Sequence, residues 1–133
     1  MTIVIDTNIV FSALLKNKSR FRDIIFSKEN TLIAPQNLLK EQMNKFDKIL
    51  KFSKLERTDL FSLFFEFLSV IHFVDERVIP NETYLEAYSL CCDYDVTDTP
   101  FVAMAIHFDA RLWTGDKIKE HLTKKGFKNI FEY

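Results

Sequence analysis

Residues 2–10 read TIVIDTNIV. Thr2 to Ile5 have the make-up of a short buried β-strand, and the apolar-periodic stretch from Asn8 to Leu15 reads as a helix. A strand that meets a carboxylate and then turns into a helix is the start of a β–α unit. Burying a lone carboxylate costs several kcal/mol unless it is paired, hydrogen-bonded or bound to metal, so Asp6 asks for a partner.

The same alternation continues along the chain. Phe21, Ile24, Ile25 and Lys28 suggest a second short helix. TLIA (31–34) is a second strand, and Pro35 is suited to start a helix. Leu38, Leu39, Met43, Phe46, Ile49 and Leu50 then recur at helical spacing. Thr58 to Val70 is a strongly apolar helix with Ser53 or Thr58 as its expected cap. HFVDERVIP (72–80) is irregular or a short strand, and Glu82 to Cys92 is a helix. Thr99 to Phe108 is another helix and ARLWT (110–114) a strand. Lys117 to Lys125 is a helix ended by Gly126, and NIFEY (129–133) is a candidate edge strand. Strands separated by helices predict an α/β fold, a small parallel sheet flanked by helices, in one domain over residues 1–133.

Composition narrows the class. The 133 residues are 47% hydrophobic with two glycines and three prolines, which argues against disorder and against a many-turned β fold. Apolar runs are short and interrupted, so no membrane span is expected. No leader-like pattern opens the chain, which predicts a cytoplasmic protein. Cys91 and Cys92 are adjacent and read as reduced core thiols. His72, His107 and His121 have no zinc spacing. The net charge of −1 excludes a globally basic nucleic-acid binder, although lysines and arginines gather at Lys16 to Arg22, Lys40 to Lys54 and Lys117 to Lys128.

In open parallel sheets, ligands bind beyond the carboxyl ends of the strands. Asp6 follows the first strand, Asp116 follows LWTG, and Asp98 opens the helix TPFVAMAIHF. Each could simply cap a helix. Three carboxylates converging on one rim would repel, and a divalent cation removes that conflict. Oxygen donors of this kind suit Mg²⁺ or Mn²⁺, which can activate water and neutralise a phosphodiester. Asp95 competes with Asp98 for the third position, as its substitute or its support. Asp93 and Asp109 read as surface residues.

VIDTNIVFSALL (4–15), Glu41 early in a helix, DTPFVAMAI (98–106) and LWTGDK (112–117) resemble the PIN-domain family. The likeness is greatest to the toxins of type II toxin–antitoxin modules, the VapC type. The resemblance implies a Mg²⁺- or Mn²⁺-dependent nuclease acting on RNA. It maps an acidic quartet onto Asp6, Glu41, Asp98 and Asp116, with metal ligation by Asp6, Asp98 and Asp116. Asn8 and Thr114 become supporting polar residues. Periodicity alone reads Glu41 as a solvated partner of Lys45, and only the resemblance gives it a role in metal binding or water orientation. Lys117, beside Asp116, is the basic residue best sited to meet the RNA backbone. An antitoxin protein and a second copy of the chain are the partners implied, and the aromatic crowding at Phe61, Phe64, Phe65 and Phe67 suits either a core or such an interface. Two other readings stay open: a receiver-type phosphoacceptor module, and a catalytically inert PIN-fold module that binds RNA or protein.

Overall fold

The computed structural model describes residues 1–15 and 19–133; Lys16 and Lys18 of the first basic group lie outside the described residues. Its elements run in chain order β1 (Thr2–Ile5), α1 (Thr7–Leu15), α2 (Ser19–Phe26), β2 (Thr31–Pro35), α3 (Gln36–Phe52), α4 (Arg57–Val70), β3 (Ile71–Val74), α5 (Asn81–Cys91), α6 (Thr99–His107), β4 (Arg111–Trp113) and α7 (Asp116–Lys124). Single 3₁₀ turns at Glu76–Val78 and Val96–Asp98 complete the described elements.

The four strands form one parallel sheet in the order β3-β2-β1-β4. From β1 the chain steps outward to β2 and β3, then returns through α5 and α6 to lay β4 on the other side of β1. The strand order therefore reverses at β1. A crevice opens where the flanking connections diverge in opposite directions, just past the carboxyl ends of β1 and β4. Register aligns Ile5 with Trp113 and Val4 with Ile33, so all strand ends reach one rim.

Burial explains why these short strands hold. Ile3, Val4 and Ile5 are completely buried, as parallel strands covered on both faces require. The α6 run Phe101, Val102, Ala103, Met104 and Ala105 is buried without a break, and its alanines let the helix lie close to the sheet. Trp113 is fully buried at the end of β4 and packs against Phe21, Phe131 and Tyr133. Among the described residues no helix is long and apolar enough to cross a membrane.

The described elements agree with the alternation read from the sequence, with local corrections. Neither Ser53 nor Thr58 caps α4: Glu56 stands at its N-cap without a side-chain bond, and Ser53 ends α3. The Ser53 hydroxyl instead donates to the Leu14 carbonyl at 3.1 Å and accepts from Leu55 N, which ties the α3–α4 turn to α1. HFVDERVIP divides into the end of β3 and a 3₁₀ turn. The NIFEY tail makes an isolated parallel bridge, Leu112 to Ile130, and no full strand. Cys91 is buried and its thiol is pushed up to about 11 by burial, but Cys92 is exposed and is not a core thiol. Gly126, with φ 89°, ends α7 as expected, in a backbone region that a side chain would strain.

Candidate active site

Asp6 leaves β1 at the point where the strand order reverses, and it is only 3% exposed. Its backbone N–H donates to the Trp113 carbonyl at 3.2 Å, which fixes the end of β1 against β4. One carboxylate oxygen accepts from the Ile9 N–H at 3.0 Å, the reach of an N-cap residue to the third helical position. The other accepts from the Thr114 hydroxyl. Asp6 thus caps α1 and is held by Thr114 at once. Burial raises its pKa to about 6, against the lowering pull of Thr114 and of the Ile9 and Asn8 N–H groups; the charge on Glu41 adds to the rise.

Glu41 does not behave as a solvated side chain paired with Lys45. The Thr7 hydroxyl donates to one of its oxygens, and the Asn37 amide donates to the other at 3.0 Å. Asn37 is itself anchored, its backbone N–H donating to Glu76 Oε1 at 2.7 Å. Fully buried Gln42 donates to the Thr7 carbonyl at 2.9 Å and so holds α1 against α3. A chain of polar contacts from the end of β3 through α3 therefore points Glu41 at α1.

Asp98 stands at the N-cap position of α6, yet its side chain makes no capping bond. Burial raises its pKa to about 7, with further push from the charges on Asp95, Asp6 and Glu41. Asp95 has a different occupation: its carboxylate accepts from the Thr97 N–H at 3.0 Å and the Thr97 hydroxyl at 2.6 Å, capping the 3₁₀ turn that delivers Asp98.

Asp6, Thr7, Asn8, Glu41, Lys45, Asp95, Thr97, Asp98 and Phe101 line one hollow of ≈ 300 Å³. Asp116 is not among its lining residues. It opens α7 behind Gly115, exposed, and lines an adjoining hollow of ≈ 300 Å³ together with Asn8, Asp95, Asp98 and Lys117. Asn8, Asp95 and Asp98 border both. The expected acids thus divide into Asp6, Glu41 and Asp98 on one side and Asp116 next door. The side-chain hydrogen bond to Asp6 comes from the Thr114 hydroxyl, and Asn8 meets Asp6 through its backbone N–H.

Among the described residues no three His, Cys, Asp or Glu side chains already close on one point as a metal cage. The donor chemistry nevertheless fits a hard, hydrated cation. Asp98 offers a carboxylate occupied by no cap, and a cation would offset the burial that raises Asp6 and Asp98 together with the neighbouring acidic charges that add to it. Mg²⁺ keeps several waters and needs one or two direct carboxylates, so Asp6 and Asp98 could hold it directly, with Glu41 and Asp116 reached through water.

The polar residues Thr7, Asn37, Gln42, Glu76 and Thr97 escaped the sequence reading. Thr7 and Thr97 each stand within two residues of an expected acid, which is the one signal that could have found them. Asn37 precedes Glu41 by one helical turn. Nothing in the sequence points to Glu76.

Comparison with known families settles what this arrangement belongs to. The family model described as PIN domain matches residues 4–128. The chain belongs to the PIN-domain family. Within that match lie all four acids, from Asp6 to Asp116. Among solved structures, a chain of VapBC2 from Rickettsia felis, in the crystal structure of VapBC2 bound to a DNA fragment from their promoter, superposes on this PIN domain with a TM-score of 0.69. The two are 21% identical, and the match covers 98% of this chain and 96% of that one. At that identity the likeness shows the fold. A comparison with curated proteins found no match.

Proposed function

We propose that this PIN domain is a Mg²⁺- or Mn²⁺-dependent endoribonuclease, the toxin of a type II toxin–antitoxin module. The observation that carries the reading is the meeting of Asp6, Glu41 and Asp98 at one hollow. They come from three distant stretches of chain, and Asp116 stands across Asp98 in the next hollow. Buried carboxylates with raised pKa values beside further acids in a cleft, as Asp6 and Asp98 are, form a functional arrangement more often than a structural one.

Asp6 and Asp98 hold the cation in this reading. When bound, Mg²⁺ supplies positive charge for the phosphodiester and makes water a better nucleophile. Glu41, fixed by Thr7 and Asn37, accepts the proton of the attacking water. Asp116 would add a further acidic oxygen from the neighbouring hollow. Lys45, lining the first hollow, and Lys117, lining the second, attract the RNA backbone and make binding salt-dependent.

The receiver-type alternative has no support from the family match. Purified protein with Mn²⁺ should cleave single-stranded RNA, and Asp6→Asn should abolish cleavage while the melting temperature is retained. RNA binding without cleavage in any divalent cation would instead favour the inert module.

A partner protein belongs to the same proposal. Phe64 and Phe67 of α4 are buried, whereas Phe61 and Phe65 of the same helix are 37% and 62% exposed. Phe46 of α3 meets Phe61 and Phe64 at 5.0 Å, so Phe61 borders the α3–α4 seam, and Met43 is exposed on α3. Apolar surface of this kind suits an antitoxin, and the Rickettsia felis neighbour, solved as VapBC2 on DNA from their promoter, favours that partner over a second copy of this chain. Co-expression with the product of the adjacent reading frame should give a complex that Phe65→Lys weakens; a homodimer broken by the same change would point to self-association.

A further inference from the structure

The hollow beside Asp116 continues past Tyr94 and Lys117 into another of ≈ 280 Å³, lined by Tyr94, Lys117, Glu120, His121 and Lys124. The cleavage chemistry uses neither Tyr94 nor His121, yet both are held with care. His121 Nε2 lies 3.1 Å from the Leu90 carbonyl and 3.2 Å from Asp93 Oδ1, and Lys125 Nζ reaches the other Asp93 oxygen at 2.8 Å. Asp93 lies on the surface, as its sequence setting predicts, and there it links the end of α5 to α7. These contacts fix the imidazole, and Tyr94 stacks on it with ring centroids 4.9 Å apart and planes 26° from parallel.

Backed in this way, Tyr94 still leaves 47% of its surface exposed, and it borders both hollows. A braced, exposed aromatic ring beside a phosphate-seeking cation is the form of a nucleobase platform: any base has a face to stack, and the ring loses little freedom in accepting it. The charges sort the two ends. Lys124 is paired with Glu120 at 3.2 Å, so the far end of the hollow is electrically compensated and suits a base better than a phosphate. Among the described residues Lys117 makes no ion pair, and it stands at the junction with the acid-lined hollow, where a phosphate would pass.

We propose that Tyr94, braced by His121, stacks a base of single-stranded RNA next to the scissile phosphate, with Lys117 holding the phosphate between the two. The inference rests on the endoribonuclease reading and adds to it the direction in which the strand leaves the acids, over the α5–α7 face.

The test is equilibrium binding of a fluorescein-labelled ten-nucleotide oligouridylate, followed by anisotropy in EDTA at low salt, where no cleavage intervenes. Tyr94→Ala should weaken binding about tenfold, within the range for one base on one aromatic ring, while Tyr94→Phe keeps the wild-type affinity. A strand with one abasic spacer, placed in turn at each position, should at one position lower the wild-type affinity to that of Tyr94→Ala and leave the variant unchanged. Lys117→Gln, at an exposed position that cannot unfold the chain, should reduce the salt dependence by about one phosphate contact. Equal affinity of Tyr94→Ala and wild type, or no binding by the wild type, overturns the platform. Cleavage of the same strand in Mn²⁺ is scored separately. Binding that depends on Tyr94 without cleavage would keep the platform and remove the nuclease reading, and cleavage with binding indifferent to Tyr94 would do the reverse.

Discussion

Asp6 and Asp116 follow neighbouring parallel strands, yet the chain treats them in opposite ways. Asp6 is buried, caps α1 through the Ile9 N–H, accepts the Thr114 hydroxyl, and sits where β1 is pinned to β4. Asp116 is exposed at the start of α7, three residues beyond the end of β4, with Gly115 occupying the cap position. One acid is part of the framework and the other is not. The lesson is that a carboxylate at a strand end can cap a helix and still line a hollow, and that the proposed chemical duty must be separated from the structural one by choosing the substitution.

The largest effect expected from that comparison is on chemistry. Asp6→Asn keeps an oxygen for the Ile9 N–H but removes the charge, so RNA cleavage in Mn²⁺ should fall on the order of a thousandfold with the fold intact. Asp116→Asn should also lower cleavage, by roughly a hundredfold, because it acts from the adjoining hollow. The comparison sharpens in stability. At about pH 3, below the ordinary Asp value of 3.8, where Asp6 is protonated in both the folded and the unfolded chain and loss of charge brings no relief, Asp6→Ala should lower stability by about 1 kcal/mol through loss of the cap, whereas Asp116→Ala should change it by less than about 0.5 kcal/mol. Thermal melts of the two variants read this directly, and equal shifts would break the contrast.

Next in size is the Glu41 tether. Asn37→Ala removes one of the two hydrogen bonds to that carboxylate, and turnover should drop about tenfold with little change in KM for RNA, as expected for a group that orients rather than binds. A loss confined to KM would assign Asn37 to substrate binding.

Titration supplies the third expectation. Asp6 and Asp98 have pKa values raised from 3.8 to about 6 and about 7 in the folded chain. Without metal, the native state therefore binds more protons than the unfolded chain between about pH 4 and 7. Their contribution to stability is present in full below about pH 4 and is lost as pH rises through 6 and 7. Asp98→Asn should remove part of that loss, so in EDTA it should be more stable than wild type by about 1–3 kcal/mol at pH 8 and no more stable at pH 4, by urea denaturation. Added Mn²⁺ should reverse the ranking at pH 8, since wild type alone keeps the full donor set.

The smallest effect concerns the cysteine pair. At about pH 8 iodoacetamide should label the exposed Cys92 and leave Cys91, buried and with its thiol raised to about 11, unmodified in the native state. Mass spectrometry of a peptide carrying both residues reads one adduct or two.

Much of this was legible in advance, for identifiable reasons. The β–α alternation shows because β1 and β2 are short apolar runs buried on both faces, as in Ile3 to Ile5, and because Pro35 opens α3 and Gly126 closes α7. Asp6, Asp98 and Asp116 stand out because each interrupts apolar sequence at an element boundary. The order of the strands, and hence the division of the acids between two hollows, depends on which neighbour each strand takes, and no periodicity carries that. The setting of Glu41 was equally hidden: its partners Thr7 and Asn37 come from two helices, and periodicity alone sends it to solvent. Cys92 was misjudged because an adjacent pair on the last turn of a helix cannot face the same way.

The C-terminal segment has one more consequence. Leu112 N donates to the Asn129 carbonyl at 2.8 Å and Phe131 N donates to the Leu112 carbonyl at 2.9 Å, while Phe131 and Tyr133 rest on Trp113. A few residues too irregular to count as a strand thus seal the outer margin of β4, whose open backbone would otherwise be a template for another chain. Removing residues 128–133 should expose that margin and increase edge-to-edge association, read as a rise in light scattering over the full chain.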